Sequence, residues 1–338
     1  MKKKFPISLA AVILILALPF VLSSYSVSLF TEMFVISIFA LSLGLIIGYA
    51  GLVSLGHAAF FGAGAYTVAL LGKYFPNTYV LLLAAILIAG LLAWLSGFLF
   101  IKTSGAYFLM ITLAFSQMLY AVVYKAKNVT GGADGMAVSA SPDLGFGPIS
   151  SPLGLYYLMA ISFLLCYLFL SCFVNSPAGK AVQGVKENES RMKALGYRTH
   201  SFKLLAYTIS GMMAGFAGAM YSLYNLFVSP DTLSWIFSGQ AMVMVIIGGV
   251  GTLFGPPIGA AFFVVLQNYM SSYTERWPII MGLIFVAFVL YGRGGVAHLL
   301  IFVWAKIQSN FRGGNNPAVE MGPSKQAGEV VNGESVKG

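Results

Sequence analysis

Long apolar runs separated by short polar breaks dominate the sequence. Ten such segments stand out, at 7–22, 29–47, 52–71, 79–101, 105–124, 153–174, 203–226, 238–250, 253–273 and 277–291. Most approach the roughly 20 apolar residues that a helix needs to cross the hydrocarbon core of a bilayer. The pattern therefore predicts an all-α, polytopic transmembrane helical bundle of about ten spans. The eighth segment is short and Gly-flanked, so the count carries an error of one. The first follows Met1-Lys2-Lys3-Lys4 in the manner of a signal peptide, yet no clean small-x-small cleavage site comes after it. Two connections are long. Residues 125–152 are rich in Gly, Ser, Asp and Pro, whereas 175–202 are charged and helix-patterned. Residues 295–308 (GVAHLLIFVWAKIQ) read as a short interfacial helix carrying Trp304 and Lys306. The membrane domain is expected over 1–310 and a disordered tail, poor in apolar residues, over 311–338.

Composition agrees with the pattern. Of 338 residues, 59% are hydrophobic and 9% charged, against about 25% charged in soluble domains. A soluble globule of this size lacks the polar groups to cover itself. The net charge of +9 suggests nucleic acid only until the basic residues are placed, for they sit at the ends of apolar runs and not on an interleaved polar face. With the N-terminus in the cytoplasm, inner ends and loops collect fifteen Lys and Arg. The outer set is Lys73, Lys125, Lys127 and Arg276, which completes the 19 in the chain. That bias is the positive-inside rule and places both termini in the cytoplasm. Cys166 and Cys172 lie six apart in one apolar run, off a common helix face, and read as inert.

No G-x-x-x-x-G-K-[ST], H-E-x-x-H, C-x-x-C or G-x-S-x-G occurs, so nothing points to phosphate cradling, metal binding or a nucleophile. The three histidines, His57, His200 and His298, are far apart in sequence. The chain reads as a non-enzyme with no metal site, and any use of ATP falls to separate subunits.

Within the inner connection, residues 176–196 read SPAGKAVQGVKENESRMKALG. Ser176 can cap free amides, Pro177 suits a first helical position, and Gly196 stands where a left-handed residue ends a helix. Glu187–Arg191 and Glu189–Lys193 are i,i+4 pairs with the acid first, each worth about 0.2–0.5 kcal/mol. These features predict a short amphipathic helix held between two spans. On pattern alone it is either a solvated charged loop or an element that passes force to another protein.

Residues 48–66, GYAGLVSLGHAAFFGAGAY, interrupt an apolar run with Gly48, Gly51, Gly56, Gly62 and Gly64 and offer Ser54, His57 and Tyr66 as polar groups. Glycine costs about 1 kcal/mol in a helix interior, so this density predicts a broken helix beside a translocation path, where freed backbone can face water or ligand. Close helix packing is the competing reading, and it is preferred for the stripe Gly211, Gly215, Gly218, Ser222. His57 is either a functional intramembrane group or a neutral ring bonded to a carbonyl. A weaker echo, GGVGTLFGPPIGA at 248–260, sets Gly248 and Gly251 in similar spacing, on the same side of the membrane as the first break. In the outer connection, Thr130, Gly131, Gly132 and Asp134 form either a gate or receptor-docking loop or a flexible turn. The sequon Asn128-Val129-Thr130 is discounted.

The stretch GKAVQGVKENESRMKALGYRTHSFKLLAYTISGMMAGFAGAMY resembles the cytoplasmic-loop signature of LivM-type permeases, the membrane subunits of branched-chain amino acid ABC importers. GYAGLVSLGHAAFFGAGAYTVALL, YFLMITLAFSQMLYAVVYKAKNVTGGADGM and IIGGVGTLFGPPIGA look like further blocks of that family in the usual order, so the likeness spans about 45–295. Departures are modest: Lys180 stands at the basic position beside the loop, and YGRGGVAHLL replaces a block where Pro-Arg-Gly is commoner. The resemblance implies a coupling helix that docks on an ATPase through Lys186, Glu187, Asn188, Glu189, Arg191, Ala194, Leu195 and Gly196. It implies a second homologous permease, two ATPase subunits that carry ATP and Mg, and an extracytoplasmic binding protein, all at a bacterial inner membrane. Import of Leu, Ile or Val is the expected function, with no cofactor on this chain. Urea or short-chain amide permeases share similar blocks. An ion-coupled secondary transporter would want more intramembrane charge than Glu32, and a mere scaffold would not need two Gly-broken segments.

Overall fold

The computed structural model describes Ile15 and residues 18–20, 22–75, 77–143, 147, 149 and 151–291. Most of segment 7–22, the interfacial helix expected at 295–308 and the tail at 311–338 lie outside these residues.

The described chain is nearly all helix. Helix α1 (Ser24–Gly44) runs directly into a π-helical stretch, Leu45–Ala50. Gly51, at φ 71°, ends it and donates its N–H to the Ile46 carbonyl. A side chain at that left-handed position would be strained, which is why glycine stands there. Residues 51–56 are not helical, and α2 (His57–Leu71) begins only afterwards. The apolar run 52–71, read as one span, is therefore an irregular entry followed by 15 helical residues. At 1.5 Å per residue these reach about 22 Å, short of the roughly 30 Å hydrocarbon core.

Short connections join α2 to α3 (Thr78–Phe100) and α3 to α4 (Ala106–Lys125), which sets neighbours antiparallel. A one-turn helix α5 (Lys127–Thr130) and a strand β1 (Met136–Ala137) follow, then α6 (Pro152–Asn175), α7 (Pro177–Glu187), α8 (Glu189–Ala194) and α9 (Thr199–Asn225). Strand β2 (Phe227–Val228) pairs antiparallel with β1, in the register Met136–Val228 and Ala137–Phe227. A 3-10 turn at Pro230–Leu233 leads into α10 (Trp235–Gly248), α11 (Gly255–Ser271) and α12 (Trp277–Tyr291). Local chemistry sets the starts: Asn77, Ser151 and Ser234 accept from Tyr79, Gly154 and Phe237 amides at 3.0, 3.1 and 3.3 Å.

Five helical stretches are long and apolar enough to cross a membrane: Ser24–Ala50, Thr78–Phe100, Ala106–Lys125, Pro152–Asn175 and Thr199–Asn225. The ten segments do not become ten full-length spans, because α2, α10 and α12 are shorter apolar helices. Helix α1 is the centre of the bundle: 94% of its most apolar window is buried, against 17% for α4. It packs on α11, α9 and α6, while α9 packs on α2 and α3. The glycine stripe on α9 makes the latter contacts possible. A Cβ on Gly218 would lie 1.8 Å from the Phe61 carbonyl oxygen, and one on Gly215 would lie 2.2 Å from the Ala89 Cβ. By contrast α3 turns Leu83, Leu87, Leu91, Trp94 and Phe98 outward, the face expected against lipid.

Candidate functional site: a polar hairpin against a glycine break

The charged connection after α6 forms α7 and α8, two helices where one was expected. Ser176 caps α7 by accepting from the Gly179 amide at 3.2 Å, with Pro177 next to it. Asn188 then takes an extended backbone, φ −156° and ψ 97°, and accepts from the Arg191 amide at 2.8 Å, so it ends one helix and caps the next. This corrects the reading of 176–196 as one rod. The break separates Glu187 from Arg191, both are exposed, and the ion pair expected between them is absent among the described residues. The other expected pair forms: Lys193 Nζ lies 3.0 Å from Glu189. Glu189 also accepts from Lys203 Nζ at 2.5 Å and from the Thr199 hydroxyl at 3.1 Å, which ties α8 to the start of α9. These partners, Lys203 foremost, hold its carboxyl down at about 2. Gly196, at φ 85°, closes α8.

The eight residues named for docking therefore divide. Asn188 and Glu189 hold the hairpin together. Glu187, Arg191, Ala194, Leu195 and Gly196 are exposed, with Leu195 at 66% and the unanticipated Tyr197 at 45% giving the tip an apolar surface among basic residues. Lys186 does something else. Its ammonium donates to the Gly48 carbonyl at 2.6 Å. One turn back, Gln183 donates to the Val174 carbonyl at 3.0 Å, near the end of α6. The apolar face of α7, Ala181, Val182 and Val185, is buried against the bundle.

The path candidates fall into two groups. Gly48 and Gly51 lie beside α7, and Gly251 meets Gly48. A Cβ on Gly48 would lie 3.0 Å from the Gly251 nitrogen, so the two glycine breaks meet backbone to backbone at one end of the bundle. A Cβ on Gly248 would lie 2.0 Å from the Gly255 carbonyl oxygen. The second group is core. Ser54 and His57 are wholly buried and Tyr66 nearly so. Ser54 accepts from the Gly56 amide, and His57 Nε2 lies 2.7 Å from the Ser210 hydroxyl. Ser210 donates its one proton to the Ser42 carbonyl, so His57 Nε2 is the donor to Ser210. His57 Nδ1 and the Tyr66 hydroxyl have no partner among the described residues.

Hydroxyls on neighbouring helices satisfy the irregular backbone at this depth, as an apolar surrounding demands. Thr112 on α4 accepts from the Leu55 amide at 3.2 Å, and Ser238 on α10 accepts from the Ala58 amide at 2.8 Å. Sequence reasoning missed Gln183, Lys203, Ser210 and Ser238. Lone hydroxyls and amides spaced along apolar runs were the available signal, and only pairing in space distinguishes them.

At the far end of α9, Thr130 donates to the Val123 and Ala126 carbonyls at 2.6 and 2.9 Å. Gly131 and Gly132 form the turn after it, and the Asp134 carboxylate is exposed. The turn is thus a hydrogen-bonded unit pinned by the β1–β2 ladder. Nearby, Gln117, Tyr120, Asp231, Ser234, Trp235 and Gln240 line a recess of about 390 Å³, within the range of small-molecule sites. None of these was singled out from sequence.

Long apolar helices, a central buried helix with a glycine break and a polar helical hairpin clamped to it define a multi-pass membrane permease. The family described as "Branched-chain amino acid transport system / permease component" matches residues 25–291, and the chain belongs to it. The high-affinity branched-chain amino acid transport system permease protein LivM of Escherichia coli (strain K12) is 29% identical over 314 residues, 85% of this chain and 73% of that protein. The probable branched-chain amino acid transport permease protein LivM of Methanocaldococcus jannaschii is 26% identical, over 75% of this chain and 85% of its own length. A solved inward-facing ABC transporter described as metal-chelate type aligns at 18% identity, over 78% of this chain and 83% of that one, with a TM-score of 0.44. That likeness is too slight to bear on the fold.

Proposed function

We propose that this chain is the membrane-spanning permease subunit of an ABC importer that carries leucine, isoleucine or valine into a bacterial cytoplasm. The observation that carries the reading is the family match across 25–291, joined to a polar hairpin whose tip is free while its base is bonded to the ends of two membrane helices. The positive-inside bias favours both termini and that hairpin in the cytoplasm, with about ten membrane segments, several of them short and broken. The exposed tip, from Glu187 to Tyr197, docks an ATPase subunit that holds the ATP and Mg. A second, homologous permease completes the path, a second ATPase completes the motor, and an extracytoplasmic binding protein delivers substrate at the opposite face. There the Thr130–Asp134 turn and the recess beside it receive the amino acid. The Asp231 carboxylate suits its ammonium, the carboxamides of Gln117 and Gln240 suit its polar end, and Tyr120 and Trp235 give apolar walls for a branched side chain.

The test is uptake of labelled leucine into proteoliposomes holding the whole transporter with its binding protein. ATP-dependent uptake that isoleucine and valine compete away, and that excess urea leaves intact, is the expected result. Competition by urea or a short-chain amide without competition by valine would reassign the substrate. Uptake driven by an ion gradient and indifferent to ATP would end the ABC reading.

A further inference from the structure

We infer that Lys186 is the positioning residue that carries movement of the docking hairpin into the glycine hinge. The inference rests on the reading that the hairpin docks an ATPase, and it adds the residue through which that docking acts on the membrane helices.

Lys186 lies in the last turn of α7, among residues the sequence offers as contacts for a partner protein. The residue is exposed as its neighbours are, but its head group reaches back to the bundle. Its ammonium donates to the Gly48 carbonyl at 2.6 Å, and its stem lies across Gly51, where an added Cβ would meet Lys186 Cγ at 2.9 Å. Gly48 belongs to the π-helical stretch that ends at Ala50. The last carbonyls of a helix lack intrahelical donors and carry the negative end of its dipole, and a lysine ammonium satisfies both needs. Gly48 also meets the second break, since it approaches the Gly251 backbone. Lys186 thus bonds a point where the two interruptions touch.

The remainder of α7 is held differently. Gln183 bonds the Val174 carbonyl near the end of α6, and Ala181, Val182 and Val185 are buried. Packing and Gln183 keep α7 in place whatever stands at position 186. Among the described residues, Lys186 is the charged side chain of α7 that bonds the hinge. A push on the hairpin tip therefore reaches Gly48 through one side chain, and deleting its head group removes the link while leaving the helix seated.

The experiment uses the whole transporter, purified through a tag on this chain together with its ATPase partners and reconstituted in proteoliposomes. Lys186→Met keeps a stem over Gly51 and deletes the ammonium; Lys186→Arg restores a donor. Leu195→Cys, introduced into each background, reports docking by cross-linking to the ATPase. Val250→Cys, beside the second break, reports hinge movement through its labelling rate with and without ATP. In Lys186→Met, cross-linking persists, the ATP-dependent change in labelling is lost, and leucine imported per ATP hydrolysed falls about fivefold. Lys186→Arg recovers most of both. Unchanged labelling response and unchanged import per ATP in Lys186→Met overturn the proposal. Failure of Leu195→Cys to cross-link in the parent background overturns the docking reading, and the proposal with it. A parent transporter that hydrolyses ATP but imports no leucine refutes the substrate alone, and the labelling arm then decides.

Discussion

Replacing Glu189 by glutamine removes the charge that holds α8 against α9. The carboxylate takes bonds from Lys203 at 2.5 Å, Lys193 at 3.0 Å and Thr199 at 3.1 Å. Together they hold it at about 2, against 4.5 for a free glutamate, with the Lys203 bond the largest cause. At about 1.4 kcal/mol per pH unit the difference is roughly 3 kcal/mol. The Glu189 side chain keeps 37% of its surface exposed, so solvent screening reduces this to about 1–2 kcal/mol. Opening of α8 then becomes about 5–30 times more frequent in Glu189→Gln. Hydrogen exchange of the 189–197 amides, read by mass spectrometry on the purified transporter, measures it directly. The pH dependence follows from the sign. A carboxyl depressed on folding contributes stability that is complete above 4.5 and is lost as pH falls towards 2. Protection in the parent chain should be flat from pH 7 to 5 and fall only below about 4.5. Equal exchange in the variant, or protection already lost between pH 7 and 5, would refute the clamp.

Gly218→Ala puts a methyl group 1.8 Å from the Phe61 carbonyl and should cost about 1–3 kcal/mol, read as a lower melting temperature. Gly239→Ala on α10 meets no atom within 4 Å and should be neutral or slightly stabilising; equal effects from the two would discredit the packing account. Ser210→Ala leaves His57 Nε2 and the Ser42 carbonyl buried without the bonds they now make, at about 1–3 kcal/mol each way of counting, so accumulation in the membrane should fall more than for Ser222→Ala, whose hydroxyl bonds only its own helix. Asp231→Asn should raise the KM for leucine about tenfold with little change in kcat; an unchanged KM removes Asp231 from the substrate site.

Apolar run length made the helices legible, since runs mark the elements that bilayers or cores demand. It could not show which runs are whole spans. Residues 52–71 look uniform in composition, yet the non-helical stretch that Gly51's left-handed backbone opens takes the first part of the run, leaving a 15-residue helix. The α7–α8 hairpin was legible in its caps at Ser176 and Gly196, because caps are local. Its break was not, although Asn188-Glu189 is itself a cap followed by an acid, because the i,i+4 pattern ran through it. Lys186 was read as outward-facing with its charged neighbours. Its true partner is a main-chain carbonyl 138 residues away, and carbonyls leave no mark in a sequence. The matching glycine spacings marked two breaks, but that Gly48 meets Gly251 needed coordinates.

The two-rung ladder between Met136–Ala137 and Phe227–Val228 joins stretches that lie some ninety residues apart. Val138 extends it by donating to the carbonyl of Leu226, the non-glycine residue with positive φ among those described. Whatever lifts residues 130–138 must either carry the α9–α10 corner with it or break a few main-chain bonds worth about 1 kcal/mol each. That corner runs through Asp231 to Trp235, the first residue of α10, and α10 ends at Gly248, next to the second break. Contact made on one rim of the molecule thus has a continuous solid route to the other.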